Sequence, residues 1–115
     1  MTVYVGKSSR TIASGLLKLK DAMIADYNSF MPENEGMKAE FAEKWGITSG
    51  SKYIKVVEEG SGVKMFIVNT DTDKKFKKGD ILKCAGWSAP ARNAARGNVL
   101  EGNYPINWTG PMYLK

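Results

Sequence analysis

The side chains with the plainest chemical capacity in this chain are cations. Lys74-Lys75-Phe76-Lys77-Lys78 sets four ammonium groups around one aromatic ring. Lysine makes mobile, hydrated contacts to phosphate, and an exposed Phe76 would stack on a base. The same five residues suit a hairpin loop with Phe76 turned inward and the lysines solvated. Downstream, Gly86-Trp87-Ser88-Ala89-Pro90-Ala91-Arg92-Asn93-Ala94-Ala95-Arg96-Gly97 reads as a short helix over 89–96. Ser88 serves as its cap, Pro90 falls early, where a missing N–H costs little, and Gly97 ends it. The start of such a helix turns unpaired N–H groups and partial positive charge toward an anion. Arg92 and Arg96, four apart, share one helical face and offer two planar guanidinium groups to phosphate or carboxylate. Trp87 would add a stacking surface. A connecting helix whose arginines pair with acidic neighbours is the plain alternative. The candidate ligand-binding set is therefore Lys74, Lys75, Phe76, Lys77, Lys78, Trp87, Ser88, Arg92 and Arg96.

Other chemistries are excluded or weak. The chain has no histidine, which removes Ser-His-Asp and Cys-His nucleophile pairs and histidine-ligated metals. Its one cysteine, Cys84, lies in a strand pattern with no histidine to activate it, so an inert thiol is expected. Gly6-Lys7-Ser8 has the ending of a phosphate-binding P-loop, but Met1 stands where that motif needs its first glycine. Asn69-Thr70-Asp71-Thr72-Asp73 has the alternating oxygens that open a calcium loop. Lys74 replaces the glycine it requires and Asp80 the bidentate glutamate, which leaves a turn held by Asx hydrogen bonds. Asn107-Trp108-Thr109 is a glycosylation sequon, irrelevant without a secretion signal. No cofactor and no metal are expected, and an enzyme would have to rely on Asp, Glu, Tyr or Lys as acid or base.

The elements that must position these residues read as one domain over 1–115, with 43% hydrophobic and 25% charged residues. Net charge is +5, and residues 52–115 carry the whole excess, eleven basic against six acidic side chains. Such a field attracts anions. Thr2-Val3-Tyr4-Val5 predicts a strand. Ile12, Leu16, Leu19, Met23 and Tyr27 predict a helix over 9–27, capped by Ser9 and weakened by Gly15. Met37, Phe41 and Trp45 predict a second helix over 34–45, with Gly46 after its end and Pro32 before it. Residues 53–57 and 63–68, joined by a Gly-containing turn, predict a β-hairpin, and 80–85 a further strand. The tail suggests short strands near 106–108 and 112–114. The fold class is α+β, two N-terminal helices packed on a small, mainly antiparallel sheet, with a short helix after the third strand of the hairpin region. No apolar run reaches the length of a membrane span and no secretory leader is visible, so a cytoplasmic protein without a membrane partner is expected.

The run from Lys74-Lys75-Phe76-Lys77-Lys78-Gly79-Asp80-Ile81-Leu82 through Trp87-Ser88-Ala89-Pro90-Ala91-Arg92-Asn93 and Arg96-Gly97-Asn98 to Trp108-Thr109-Gly110-Pro111 resembles small uncharacterised proteins encoded by tailed bacteriophages. The likeness covers roughly the C-terminal half. It implies a viral protein acting in a host bacterial cytoplasm and carries no catalytic residues over. The expectation is a non-enzymatic module binding nucleic acid or a phosphorylated ligand. The alternative is an accessory factor whose basic face binds and inhibits a host bacterial protein.

Overall fold

A computed structural model describes residues 3–30, 33–85 and 89–111 of the chain. Helix α1 spans Ile12–Phe30 and α2 spans Glu35–Lys44; β1 is Val3–Val5, β2 Trp45–Ser49, β3 Tyr53–Glu58, β4 Gly62–Val68, β5 Ile81–Lys83, β6 Tyr104–Asn107 and β7 Gly110–Pro111. They form two antiparallel sheets, one of order β2-β3-β4-β5 and one of order β1-β6-β7. Among the described residues the fold is α+β with two helices, as the residue pattern implies.

Helix α1 forms because Leu16, Leu19, Met23 and Tyr27 bury one face. It starts later than expected. Thr11, not Ser9, caps it: Thr11 Oγ1 accepts from the Ser14 N–H at 3.1 Å, while the Ser9 N–H donates to the Leu100 carbonyl. Gly15 is required by packing, since a Cβ there would stand 2.5 Å from the Val99 carbonyl oxygen. Asn34 caps α2, its Oδ1 accepting from the Met37 N–H.

The hairpin β3–β4 is the backbone of the larger sheet, with Tyr53 opposite Val68 and Ile54 opposite Ile67. Period-two alternation gives it two buried faces. Ile54, Val56, Met65 and Ile67 join Leu19, Met23, Tyr27, Phe41 and Trp45 in the main core. Phe66 and Val68 turn the other way, to Phe76 and Leu82. At the foot of α1, Tyr27 stacks on Phe41 at 4.3 Å and Trp108 meets both edge-on. The buried Asp26 carboxylate accepts the Trp108 N–H at 2.8 Å, tying the β6–β7 turn to α1.

Two expectations are corrected. Trp45 and Gly46 do not close a helix. Trp45 adopts an extended conformation and opens β2, which pairs with β3. Residues 89–96 form no helix either. There, the Arg96 N–H would donate to the Arg92 carbonyl four residues back. It donates instead to the Ile81 carbonyl, the Ala91 N–H donates to Lys83, and the Arg92 carbonyl accepts from Lys75 Nζ. The segment runs back along β5, with Pro90 bridged to Cys84 and Asn98 to Asp80. The strand expected near 112–114 lies outside the described residues.

Candidate functional site

The polar segment 69–80, between β4 and β5, folds back on the open end of the β3–β4 hairpin. The Asn69 N–H donates to the Lys52 carbonyl and Asn69 Nδ2 to the Gly50 carbonyl, both at 2.8 Å. Thr70 and Thr72 hydroxyls are hydrogen-bonded at 2.9 Å. Asp73 then makes the Asx turn that its spacing implies: Oδ1 accepts from the N–H groups of Lys75 at 2.9 Å and Phe76 at 3.0 Å. Arg92 Nη2 donates to that same oxygen at 2.9 Å.

These contacts fix the electrostatics. The Arg92 guanidinium, and then the Phe76 and Lys75 N–H groups, hold the Asp73 carboxyl well below the usual carboxylate range. Asp73 and the Tyr53 hydroxyl, which accepts from Arg92 Nη1 at 2.5 Å, push the guanidinium pKa up. Arg92 also lies 5.0 Å over the Phe76 ring.

Between the turn and the hairpin end lies an open cleft of about 540 Å³, lined by Ser51, Lys52, Thr70, Thr72, Asp73, Lys74 and Arg92. Three cations and three hydroxyls face one carboxylate, and that carboxylate already accepts three hydrogen bonds on one oxygen. Lys75 reinforces the wall, its Nζ donating to the Arg92 carbonyl at 2.6 Å. On the same face of the sheet, Lys52 lies over Tyr53 and Lys55 over Phe66, at 5.5 and 5.9 Å. The face opposite the helices is thus rimmed by cations resting on aromatic rings. The set places hydroxyl donors beside positive charge, the groups an anion would require.

The predicted site residues divide. Lys74, Lys75 and Arg92 come together at the cleft. Phe76 is 6% exposed and packs on Phe66, Val68 and Leu82, so its ring is a floor and not a stacking platform. Lys77 pairs with Glu101 at 2.5 Å, away from the cleft. The Lys78 carbonyl accepts from Asn98 Nδ2, part of a buried network in which Asn98 also bonds Asp80 and the N–H groups of Leu100 and Glu101. Arg96 turns to its own segment, bonding the Ala94 carbonyl and Asn93 Oδ1 at 3.3 Å each, and does not join Arg92 in lining the cleft. Trp87 and Ser88 lie outside the described residues. The candidate set did not include Ser51, Lys52, Thr70, Thr72 or Asp73, the last three of which were read only as part of a turn. The signal for Ser51, Lys52 and Thr70 was the hairpin itself, because pairing Tyr53 with Val68 brings residue 52 beside residue 69.

Cys84 is half-buried, its thiol donating to the Val63 carbonyl at 3.5 Å, and burial pushes its pKa up. Among the described residues, no three His, Cys, Asp or Glu side chains converge as a metal site, and no helix is long and apolar enough to cross a membrane.

Compared with known proteins, the chain finds no match among curated sequences or among solved structures. A family model covers nearly all of it, from residue 6 to residue 113, and takes in the helices, the hairpin and the cationic cleft alike. The chain belongs to that family, a family of unknown function designated DUF7717.

Proposed function

We propose that this protein is a non-enzymatic binding module whose basic cleft holds the phosphate groups of a nucleic acid. The observation that carries the reading is the cleft's charge balance: Lys52, Lys74 and Arg92 converge where the one carboxylate is committed to the turn and to Arg92. Ser51, Thr70 and Thr72 supply neutral donors of the kind that complete phosphate contacts. Lys55 and Lys75 extend the positive surface beyond the lining residues of the cleft, which suits a chain of phosphates better than a single one. Binding is then mainly electrostatic. Base stacking by Phe76 has no part in it.

A bacteriophage origin and action in a host cytoplasm belong to this proposal through the resemblance of the C-terminal half. The test is an amide chemical-shift titration with a short single-stranded oligonucleotide. Shifts concentrated at residues 51–52, 70–74 and 92 support the cleft. A set concentrated at β2 and α1 overturns it. So does a nuclease-resistant host protein that binds the basic face while no oligonucleotide does, which selects the alternative of a host-protein inhibitor.

A further inference from the structure

The lining residues of the basic cleft carry more charge than one phosphodiester does. Lys52, Lys74 and Arg92 stand against the single carboxylate of Asp73, which leaves a net charge of +2. Asp73 does not oppose an anion directly, because its side chain is only 2% exposed and is held by Arg92. The guanidinium is itself committed. Nη2 donates to Asp73 and Nη1 to the Tyr53 hydroxyl, so the two-pronged grip that arginine gives a phosphate is turned toward the protein. The remaining charge is on two ammonium groups, and neither Lys52 nor Lys74 has a carboxylate partner among the described residues. Hydroxyl protons are left over as well. Thr70 Oγ1 accepts from the Thr72 N–H at 3.2 Å, and a single proton bridges the Thr70 and Thr72 hydroxyls at 2.9 Å. The pair therefore keeps one proton to donate, and Ser51 brings another.

We propose that the cleft takes the terminal phosphate of a nucleic-acid strand, a phosphomonoester at a 5′ or 3′ end, in preference to phosphates within the strand. The inference rests on the reading of the cleft as a nucleic-acid site and names which phosphate occupies it. A phosphodiester inside a strand is a monoanion with a pair of free oxygens. A terminal monoester carries about −1.5 to −2 charge near neutral pH and offers three acceptor oxygens. Lys52 and Lys74 match that charge, and the Ser51 and threonine hydroxyls donate to its oxygens. Lysine fits the task because its three donors turn about a compact point charge, where a flat guanidinium fixes one direction. Size agrees. A cavity of about 540 Å³ lies in the range of small-ligand sites, so it holds the end of a strand and not its length. The rest of the strand runs outside the cleft, over Lys55 and Lys75.

Fluorescence anisotropy of one single-stranded sequence, labelled internally and finished in different ways, tests this. The strands carry free hydroxyls at both ends, a 5′-phosphate, a 3′-phosphate, or the methyl ester of either phosphate, which keeps the phosphorus and removes one charge. A phosphorylated strand should bind roughly tenfold more tightly than the hydroxyl-ended one, the worth of one charge-assisted hydrogen bond. Whether the 5′ or the 3′ form gains tells which end is taken, and its methyl ester should lose most of the gain. Lys52→Ala/Lys74→Ala, at two exposed positions, should bind all the strands alike. Lys77→Ala should keep the difference, since that ammonium is paired with Glu101. Equal binding of all the strands by the wild-type protein overturns the inference and leaves the nucleic-acid reading standing. A methyl ester that binds as tightly as its parent phosphate, or a gain that survives in the double variant, overturns it too. No binding of any strand at low salt overturns both.

Discussion

Arg92 Nη2 donates to Asp73 Oδ1 at 2.9 Å, joining two segments 19 residues apart, and this ion pair leaves Lys52 and Lys74 as the uncompensated cations among the cleft's lining residues. It spends the one carboxylate of the site on the fold. The acid-side stability of the loop follows from it. Asp73 titrates lower in the folded chain than its ordinary value of 3.8, so its contribution is complete above that pH and is lost as pH falls below it toward the folded value. Asp73→Asn should lower the melting temperature near neutral pH, and the gap to wild type should begin to narrow below about pH 4 and go on narrowing as pH falls further. Thermal melts across that range check it; a gap that does not change with pH contradicts it.

Two helical glycines should respond with opposite sign. Glycine in a helix interior ordinarily costs up to about 1 kcal/mol relative to alanine. Gly36 has only Asn34 Oδ1 near its added Cβ, at 3.7 Å, so Gly36→Ala should stabilise by a few tenths up to about 1 kcal/mol. At Gly15 the Cβ would press on the Val99 backbone at 2.5 Å, and Gly15→Ala should destabilise by roughly 1–3 kcal/mol. Urea denaturation of the two variants measures both.

What was legible in the residues, and what was not, follows the range of the forces involved. The β3–β4 hairpin and α1 each carry their own periodicity over many residues; the hairpin stands where expected, and the helix forms but runs three residues later at each end, over Ile12–Phe30. Strand β2 was hidden because Trp45 satisfies two patterns at once: it continues the Met37, Phe41 spacing of a helix and begins an edge strand. The segment 89–96 has good helical composition, yet hydrogen bonds to Lys83 and Ile81 far back in the chain override it. In the site, Lys74 and Arg92 were visible as charge. Lys52 carries no motif and becomes a cleft residue only when Asn69 closes on it. Phe76 shows the limit of reading an aromatic among lysines, since burial beside Phe66 and Leu82 claims the ring.

Cys84 should be chemically quiet. Burial raises its pKa, so little thiolate is present at neutral pH, and Val63 engages the thiol. Alkylation by iodoacetamide should run well below the rate of a free cysteine and accelerate on adding denaturant. Cys84→Ser should leave oligonucleotide binding unchanged. Loss of binding in a folded Cys84→Ser protein of undiminished stability contradicts this.

The central claim, that Lys52 and Lys74 engage the phosphates of a nucleic acid, is tested most directly by the salt dependence of binding. Fluorescence anisotropy of a labelled single-stranded oligonucleotide should give an affinity that falls steeply as salt rises. The slope of log K against log salt is about −0.7 for each phosphate neutralised on a single strand. The double variant Lys52→Ala/Lys74→Ala should bind more weakly and flatten the slope by about 1.4, two contacts' worth. Lys77→Ala, whose ammonium is paired with Glu101 outside the cleft, should leave the slope unchanged. No binding at low salt, or a slope that the double variant does not move, would contradict the account.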